Sequence, residues 1–217
     1  MSESPLSRYA GPIAIFAGGL FAAAHVGQFL VMDRSDLVAM MTDPVFLIFN
    51  AAYAITFPLL LIALVTLYWR QAGATGLFGA VAFCIATTGT VALAGDMWFE
   101  GFAVPWLAQV APVVFSADKS GSLLMAAWLV SVVLFSLGWI LFGLASLRAR
   151  VFPRALSVAV VIGGLIGFQA AMPPWGVALG LAVAAVGVWL IRQARMGQPV
   201  PAQPVPEPIA VAEPPRW

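Results

Sequence analysis

Residues 75–102 read TGLFGAVAFCIATTGTVALAGDMWFEGF, an apolar run that ends in a stretch with two carboxylates. A run of this length is long enough to cross the roughly 30 Å hydrocarbon core of a bilayer as a helix. Asp96 and Glu100 lie four residues apart, about one helical turn, so both carboxylates are predicted on one helix face. Acids in such apolar surroundings are costly and mark a candidate site.

The rest of the chain has the same apolar character. Its 217 residues are 62% hydrophobic and only 9% charged, and the mean hydropathy is +0.99. Because a soluble domain carries about a quarter charged residues, lipid must be the main solvent of this chain. The net charge of +1, without a basic patch, excludes nucleic acid as a partner. The sequence therefore predicts an all-α, multi-pass protein of the cell membrane, with the lipid bilayer as its surroundings.

Six apolar runs are predicted to span the bilayer as a helical bundle over residues 10–195. They are residues 10–32, 44–69, 75–102, 122–147, 155–171 and 177–191. The first run is long enough to span, and we interpret it as a retained helix and not as a signal peptide. Residues 103–120 are interrupted by Pro112 and are too short to span, so they are expected to form an interfacial or re-entrant segment between the third and fourth helices.

Two tails flank this domain. Residues 1–9 are polar, and residues 196–217 contain seven prolines. A segment so rich in proline cannot form a packed element and is expected to be extended, disordered chain. It is interpreted as a solvated tail, and a docking ligand for a protein partner is the alternative.

The cationic residues predict the orientation. With six spans, eight of the ten fall in the segments on one side, and only Arg34 and Lys119 fall on the other. Basic residues are enriched in cytoplasmic segments, so both termini are predicted to be cytoplasmic.

This orientation places polar and aromatic side chains from five spans in the outer half of the bundle, at the 1.5 Å rise per residue of a helix. Polar groups in hydrocarbon usually face the bundle interior or a cavity, so a polar, aromatic-lined pocket is predicted there. Interhelical hydrogen bonding, an interfacial aromatic belt and acids solvated at the headgroup level are the structural alternatives. The predicted pocket has Asp96 and Glu100 as catalytic acids, and its substrate-binding residues are His25, Gln28, Asn50, Tyr53, Trp98, Phe99, Trp128 and Gln169.

The chemistry available to this pocket is acid–base chemistry without a cofactor. The sequence contains no metalloprotease, nucleophile-elbow or phosphate-loop motif, and a metal site is not expected from one histidine and two acids. A carboxylic acid in an apolar pocket is hard to ionise and can protonate an olefin, an epoxide or a leaving group. Nearby aromatic faces would stabilise the resulting cation.

In size, helical span pattern and the acid–aromatic stretch 95–102, the chain resembles the small integral-membrane terpene cyclases of microbial meroterpenoid and indole-terpenoid pathways. The resemblance implies proton-initiated cyclisation or isomerisation of a membrane-soluble isoprenoid, the work of a lyase or isomerase that uses no cofactor. In that family the acids lie on separate helices, whereas here they share one, and Asp33, Asp36 or Asp43 is the candidate for a distant partner. The chain equally resembles uncharacterised actinobacterial polytopic membrane proteins, which implies no activity.

Two other functions are open to such a chain. A small transporter is disfavoured because the inner half has no polar path and no pair of broken helices. An accessory or small-molecule-binding membrane protein would need no catalytic acid. An accessory subunit would bind a larger membrane partner through small-residue faces such as Gly163, Gly164 and Gly167.

Overall fold

The computed structural model describes residues 5–116, 122–169 and 172–196, and the regular structure within these ranges is helical. The all-α fold predicted from the sequence is confirmed. The first helix begins at Pro5, earlier than predicted, and the proline-rich tail beyond Met196 lies outside the described residues. In chain order the elements are α1 (Pro5–Val31), α2 (Leu37–Thr42), α3 (Pro44–Val110), α4 (Val113–Ser116), α5 (Leu123–Ala149), α6 (Arg154–Ile166), a 3-10 turn (Gly167–Gln169) and α7 (Val177–Arg195).

Four of these helices, α1, α3, α5 and α7, are long and apolar enough to cross a bilayer. The remaining apolar helix, α6, has 13 residues, which is about 20 Å and less than the thickness of the hydrocarbon core. The fifth span is predicted to reach residue 171. Its α-helix ends at Ile166 instead, because the chain passes into the 3-10 turn at Gly167. By length and composition the chain is a helical membrane protein.

Helix α3 is a hairpin of two helical limbs that meet at Gly76. The φ of 58° and ψ of −149° at Gly76 lie in a region that is open almost only to glycine. The rings of Tyr68 and Phe83 stack with their centroids 4.1 Å apart, and a Cβ added to Gly101 would lie 3.1 Å from the Cβ of Asn50. Both pairs are almost symmetric about residue 76, so the limbs run antiparallel. We call residues 44–75 the N-limb and residues 77–110 the C-limb.

The ends of both limbs differ from the prediction. The predicted turn at residues 70–74 is helical, and the chain reverses at Gly76 instead. The C-limb does not end near Phe102 but continues through Pro105 to Val110, so the first part of the predicted interfacial segment is helix. Pro105 is tolerated as prolines often are inside membrane helices, whereas Ala111 turns away from helical geometry immediately before Pro112, as steric crowding by the proline ring requires.

Small residues let the neighbouring helices approach closely. Helices α1 and α7 cross at Gly18 and Gly180, where a Cβ on Gly180 would lie 2.6 Å from the Gly18 carbonyl oxygen. Gly163 packs against the α7 backbone at Leu179 in the same way, and Gly164 packs against α5. These glycines are used within the bundle, which removes Gly163 and Gly164 as the docking face that an accessory function would need.

Aromatic side chains fill the centre of the bundle between the helices. Phe57 of the N-limb contacts Phe21 of α1 and Phe135 of α5, with ring centroids 5.4 and 5.8 Å apart. Near the hairpin turn, the buried Gln71 amide oxygen accepts a 2.6 Å hydrogen bond from the Ser146 hydroxyl of α5. Sequence analysis overlooked this polar link at the end of the bundle opposite the carboxylates.

Candidate functional site

Both carboxylates of the opening stretch line a cavity of about 480 Å³. The cavity lies between α1, α2, both limbs of α3 and the start of α5, and the segments around Phe115 and Pro173 complete its wall. Its volume falls within the roughly 300–1,000 Å³ typical of small-molecule sites. The face that the four-residue spacing predicted is thus turned into a cavity large enough for a ligand.

Asp96 and Glu100 project from the same side of the C-limb. They are close enough to interact electrostatically, and the Oδ2 atom of Asp96 is buried without a hydrogen-bond partner among the described residues. The Ser131 hydroxyl of α5 is a hydrogen-bonding neighbour of Asp96. That hydroxyl also donates to the Ala127 carbonyl of its own helix at 3.0 Å, so Asp96 shares this neighbour with the α5 backbone.

Aromatic and methionine side chains form much of the remaining wall. Of the predicted aromatic residues, Phe99 and Trp128 line the cavity. Trp98 does not line it, because it is 60% exposed and packs beside Phe102 with ring centroids 5.3 Å apart. Two residues beyond Asp96 correspond to about 200° of rotation around a helix, which carries Trp98 to the opposite face.

Helix α2 forms the roof of the cavity with the apolar side chains of Leu37, Met40 and Met41. The Asp36 carboxylate caps this helix by accepting hydrogen bonds from the amides of Val38 and Ala39 at 2.9 and 3.0 Å. Such a cap stabilises a short helix that could not form alone in water. Methionines adapt their shape to a guest, so the roof suits an apolar ligand.

The three acids considered as distant catalytic partners have local roles instead. Asp43 caps α3 by accepting from the Val45 amide at 2.7 Å, and Asp36 caps α2. The exposed Asp33 accepts from the Ser35 amide, and this hydrogen bond lowers the pKa of the Asp33 carboxyl. None of the three lines the cavity, which leaves Asp96 and Glu100 as its carboxylates among the residues that the structure describes.

A buried group of polar residues lies next to the cavity. Gln28 lines the cavity and is only 8% exposed. His25, one turn earlier on α1, is fully buried, and its ring centroid lies 5.0 Å from that of Tyr53. Tyr53 is close enough to Glu100 for the two to interact electrostatically. The structure therefore brings these side chains from α1 and the N-limb together with the carboxylates.

Asn50 and Gln169 are placed differently from these residues. The Asn50 amide nitrogen donates to the Phe46 carbonyl at 2.9 Å, and the residue packs against Gly101 outside the cavity lining. Its contacts are those of a residue that joins the two limbs of the hairpin. Gln169 ends the 3-10 turn, and its side chain lies outside the described part of the structure.

Sequence reasoning missed Arg34 and the methionines of α2 as cavity residues. Arg34 is exposed and also lines the cavity, so its guanidinium lies at the rim. The available signal was weak: Arg34 is one of two cations on the predicted outer side, and residues 37–41 form a short apolar segment directly after it. Nothing in that pattern indicates that the segment folds back over the bundle.

In the described ranges, no group of three or more His, Cys, Asp and Glu side chains is arranged to hold a metal ion. Comparison with protein-family models, curated proteins and solved structures finds no match. The cavity and the chemistry of its walls are therefore the features that indicate a function.

Proposed function

We propose that this chain is an integral-membrane enzyme that protonates a membrane-soluble isoprenoid and so starts its cyclisation or isomerisation. The observation that carries the proposal is the pair of carboxylates, Asp96 and Glu100, one helical turn apart in the wall of a mainly apolar cavity. A protonated carboxylic acid is a suitable donor to a carbon–carbon double bond where water is excluded. This is the function implied by the resemblance to small membrane terpene cyclases.

The proposed reaction needs no oxidant, reductant or cofactor. The Asp96 carboxyl gives its proton to one carbon of a double bond, whose π electrons form the new C–H bond and leave a cation on the neighbouring carbon. In a cyclisation, the electrons of a second double bond then form a C–C bond to that cation. Loss of a proton from an adjacent carbon to a carboxylate re-forms a double bond and restores the acid. The product is an isomer of the substrate.

The walls of the cavity suit such a cation. Phe99 and Trp128 line it, and the faces of aromatic rings attract positive charge. Glu100 would balance the charge or return the proton to Asp96. The methionine-rich roof and a volume of about 480 Å³ accommodate a flexible apolar chain.

The proposed membrane arrangement has six passes and cytoplasmic termini. Its support is the antiparallel hairpin of α3, which supplies two of the passes, and the shorter α6, which is extended by the 3-10 turn. The Ser136 hydroxyl of α5 donates to the Gly164 carbonyl near the end of α6 at 2.7 Å, as expected for antiparallel neighbours. With six passes, eight of the ten cationic residues lie on the cytoplasmic side.

The test is product formation by full-length protein in lipid vesicles supplied with unsaturated C15 and C20 isoprenoids. Wild type is expected to form cyclic or rearranged isomers detectable by mass spectrometry. The double variant Asp96→Asn with Glu100→Gln removes the donor and should lower the rate roughly 10²- to 10⁴-fold. The matched control is Asp43→Asn, because asparagine caps a helix about as well as aspartate does. An unchanged rate in the double variant would refute the catalytic role.

A non-catalytic small-molecule-binding protein is the second candidate. It is favoured by the buried polar atoms beside the cavity, which could hold a ligand without any reaction. In this case wild type binds isoprenoids but forms no product, and the double variant binds them as well.

A further inference from the structure

Several polar atoms beside the cavity are buried and have no hydrogen-bond partner among the described residues. They are the Oε1 atom of Gln28, the hydroxyl of Tyr53 and both ring nitrogens of His25. Buried polar groups are nearly always hydrogen-bonded in folded proteins, so such a set indicates a site for a polar guest. We call these three residues the polar pit.

The polar pit lies next to the cavity, and Gln28 is its member that opens onto the cavity. Gln28 lines the cavity directly, and it lies three residues after His25 on the same face of α1. Tyr53 packs against the His25 ring and lies within electrostatic range of Glu100, which also lines the cavity. A ligand in the cavity can therefore reach Gln28 with one of its ends.

The charges of the cavity select an uncharged end group. Among the described residues, two carboxylates lie in the wall, and Glu100, the charge-balancing group of the proposed reaction, repels an anion such as a diphosphate when it is ionised. The cationic Arg34 is exposed at the rim and lies within electrostatic range of Tyr53, but an anion drawn to it has no hydrogen to donate to the buried Gln28 oxygen. The free Gln28 oxygen needs a donor, while Tyr53 and His25 can each donate and accept. A hydroxyl group on the ligand matches the hydrogen-bonding needs of all three side chains, because it can both donate and accept.

We propose that the cavity takes an uncharged isoprenoid alcohol, with its hydroxyl hydrogen-bonded to Gln28 in the polar pit and its apolar body under the roof of α2. This inference rests on the proposed function only for the isoprenoid nature of the body. The binding itself requires no reaction.

The test uses ligands that cannot react. A saturated C15 isoprenoid alcohol (hexahydrofarnesol), the alkane of the same skeleton (farnesane) and the saturated C15 diphosphate lack the double bond that would be protonated. Full-length protein in nanodiscs is titrated with the radiolabelled alcohol in a scintillation proximity assay, and the other two ligands compete. We expect the alcohol to bind more tightly than either competitor, by roughly 2- to 13-fold over the alkane, as expected for one hydrogen bond.

Two substitutions at matched glutamines locate the hydroxyl. Gln28→Met keeps the length of the side chain but removes its amide, and should weaken alcohol binding roughly 2- to 13-fold, as expected for one hydrogen bond, with alkane binding unchanged. Gln71→Met makes the same change at the opposite end of the bundle and should leave the preference for the alcohol intact. If Gln28→Met fails to fold, Gln28→Asn keeps the amide but withdraws it by one methylene, and it is expected to weaken alcohol binding in the same way.

Three outcomes would overturn this inference: equal affinity for alcohol and alkane, tighter binding of the diphosphate, or a preference for the alcohol that is unchanged in a folded Gln28→Met or Gln28→Asn variant. The test is independent of turnover. Failure of the double carboxylate variant to change product formation would refute the catalytic proposal while leaving this binding result intact.

Discussion

The angular position of a side chain around its helix determines whether it lines the cavity or lies on another face. Asp96 and Glu100 are one turn apart and share a face, whereas Trp98 lies between them in sequence and on the opposite face, where it is largely exposed. On α1, His25 and Gln28 are likewise on one face, but only Gln28 reaches the cavity lining.

The position of His25 can be tested through Gly176, which lies directly before α7. A Cβ added to Gly176 would overlap the His25 ring, while the φ of −75° at Gly176 suits any residue. Gly176→Ala should therefore lower the free energy of unfolding by about 1–3 kcal/mol through overpacking. The cost should largely disappear in a His25→Ala background, measured by denaturant unfolding in micelles as a double-mutant cycle. The matched control is Gly95→Ala, where no atom of the described residues lies within 4 Å of the added Cβ. If the effects of Gly176→Ala and His25→Ala on stability are additive, the close approach of Gly176 to the His25 ring is contradicted.

The α3 hairpin is the secondary-structure element that positions the site. Gly76 reverses the chain so that the C-limb returns along the N-limb, and this brings Glu100 alongside Tyr53. The link between Gln71 and Ser146 ties the turn region to α5. The position of the two carboxylates in the bundle therefore depends on Gly76, which lies some 20 residues earlier in the chain.

Gly76→Ala tests this reversal. No atom of the described residues lies within 4 Å of the added Cβ, so its effect must come from the backbone conformation alone. We expect a loss of about 1–3 kcal/mol in the free energy of unfolding. Gly19→Ala is the control, because Gly19 is exposed inside α1 and also has open space around it. That change should be neutral or stabilising by up to about 1 kcal/mol. Equal effects of the two substitutions would argue against the strained turn.

The long helices and α6 pack side by side in a closed ring, so that each helix contacts the next one around the bundle. Helix α1 packs on α7 at one side and on the N-limb at the other, with α5 and α6 completing the bundle. Small residues at the crossings, such as Gly18 with Gly180, allow this close association without a large polar interface. The cavity and the polar pit lie at one end of this bundle, and the hairpin turn lies at the other.

The proposed orientation is tested by labelling with a membrane-impermeant maleimide in intact cells. In a Cys84→Ala background, Ser35→Cys lies in the exposed linker before α2 and should react from outside. Ala74→Cys lies at the exposed hairpin turn and should react only after the cells are opened. The opposite labelling pattern would show that the orientation is reversed. Labelling of both residues in intact cells would contradict the proposal that the two residues lie on opposite sides of the bilayer.

Composition and hydropathy are enough to identify this chain as a helical membrane protein. Its low charge and long apolar runs required lipid as a solvent, and helices are the natural spanning form because their backbone groups bond within the segment. The four-residue spacing of Asp96 and Glu100 placed both acids on one face. These features depend only on local composition and helical geometry, so no knowledge of packing was needed.

Which helix faces meet cannot be inferred from the apolar pattern, because it depends on how the helices pack. The rotation of each helix depends on close packing at glycines such as Gly18 and Gly89, where neighbouring backbones approach. The reversal at Gly76 and not near residue 70, and the folding of α2 over the cavity, were likewise invisible in the apolar pattern. In a chain that is apolar on nearly every face, hydrophobicity does not distinguish core from lipid. The orientation of Asp96 and Glu100 toward the cavity is therefore set by the shape of the packed helices.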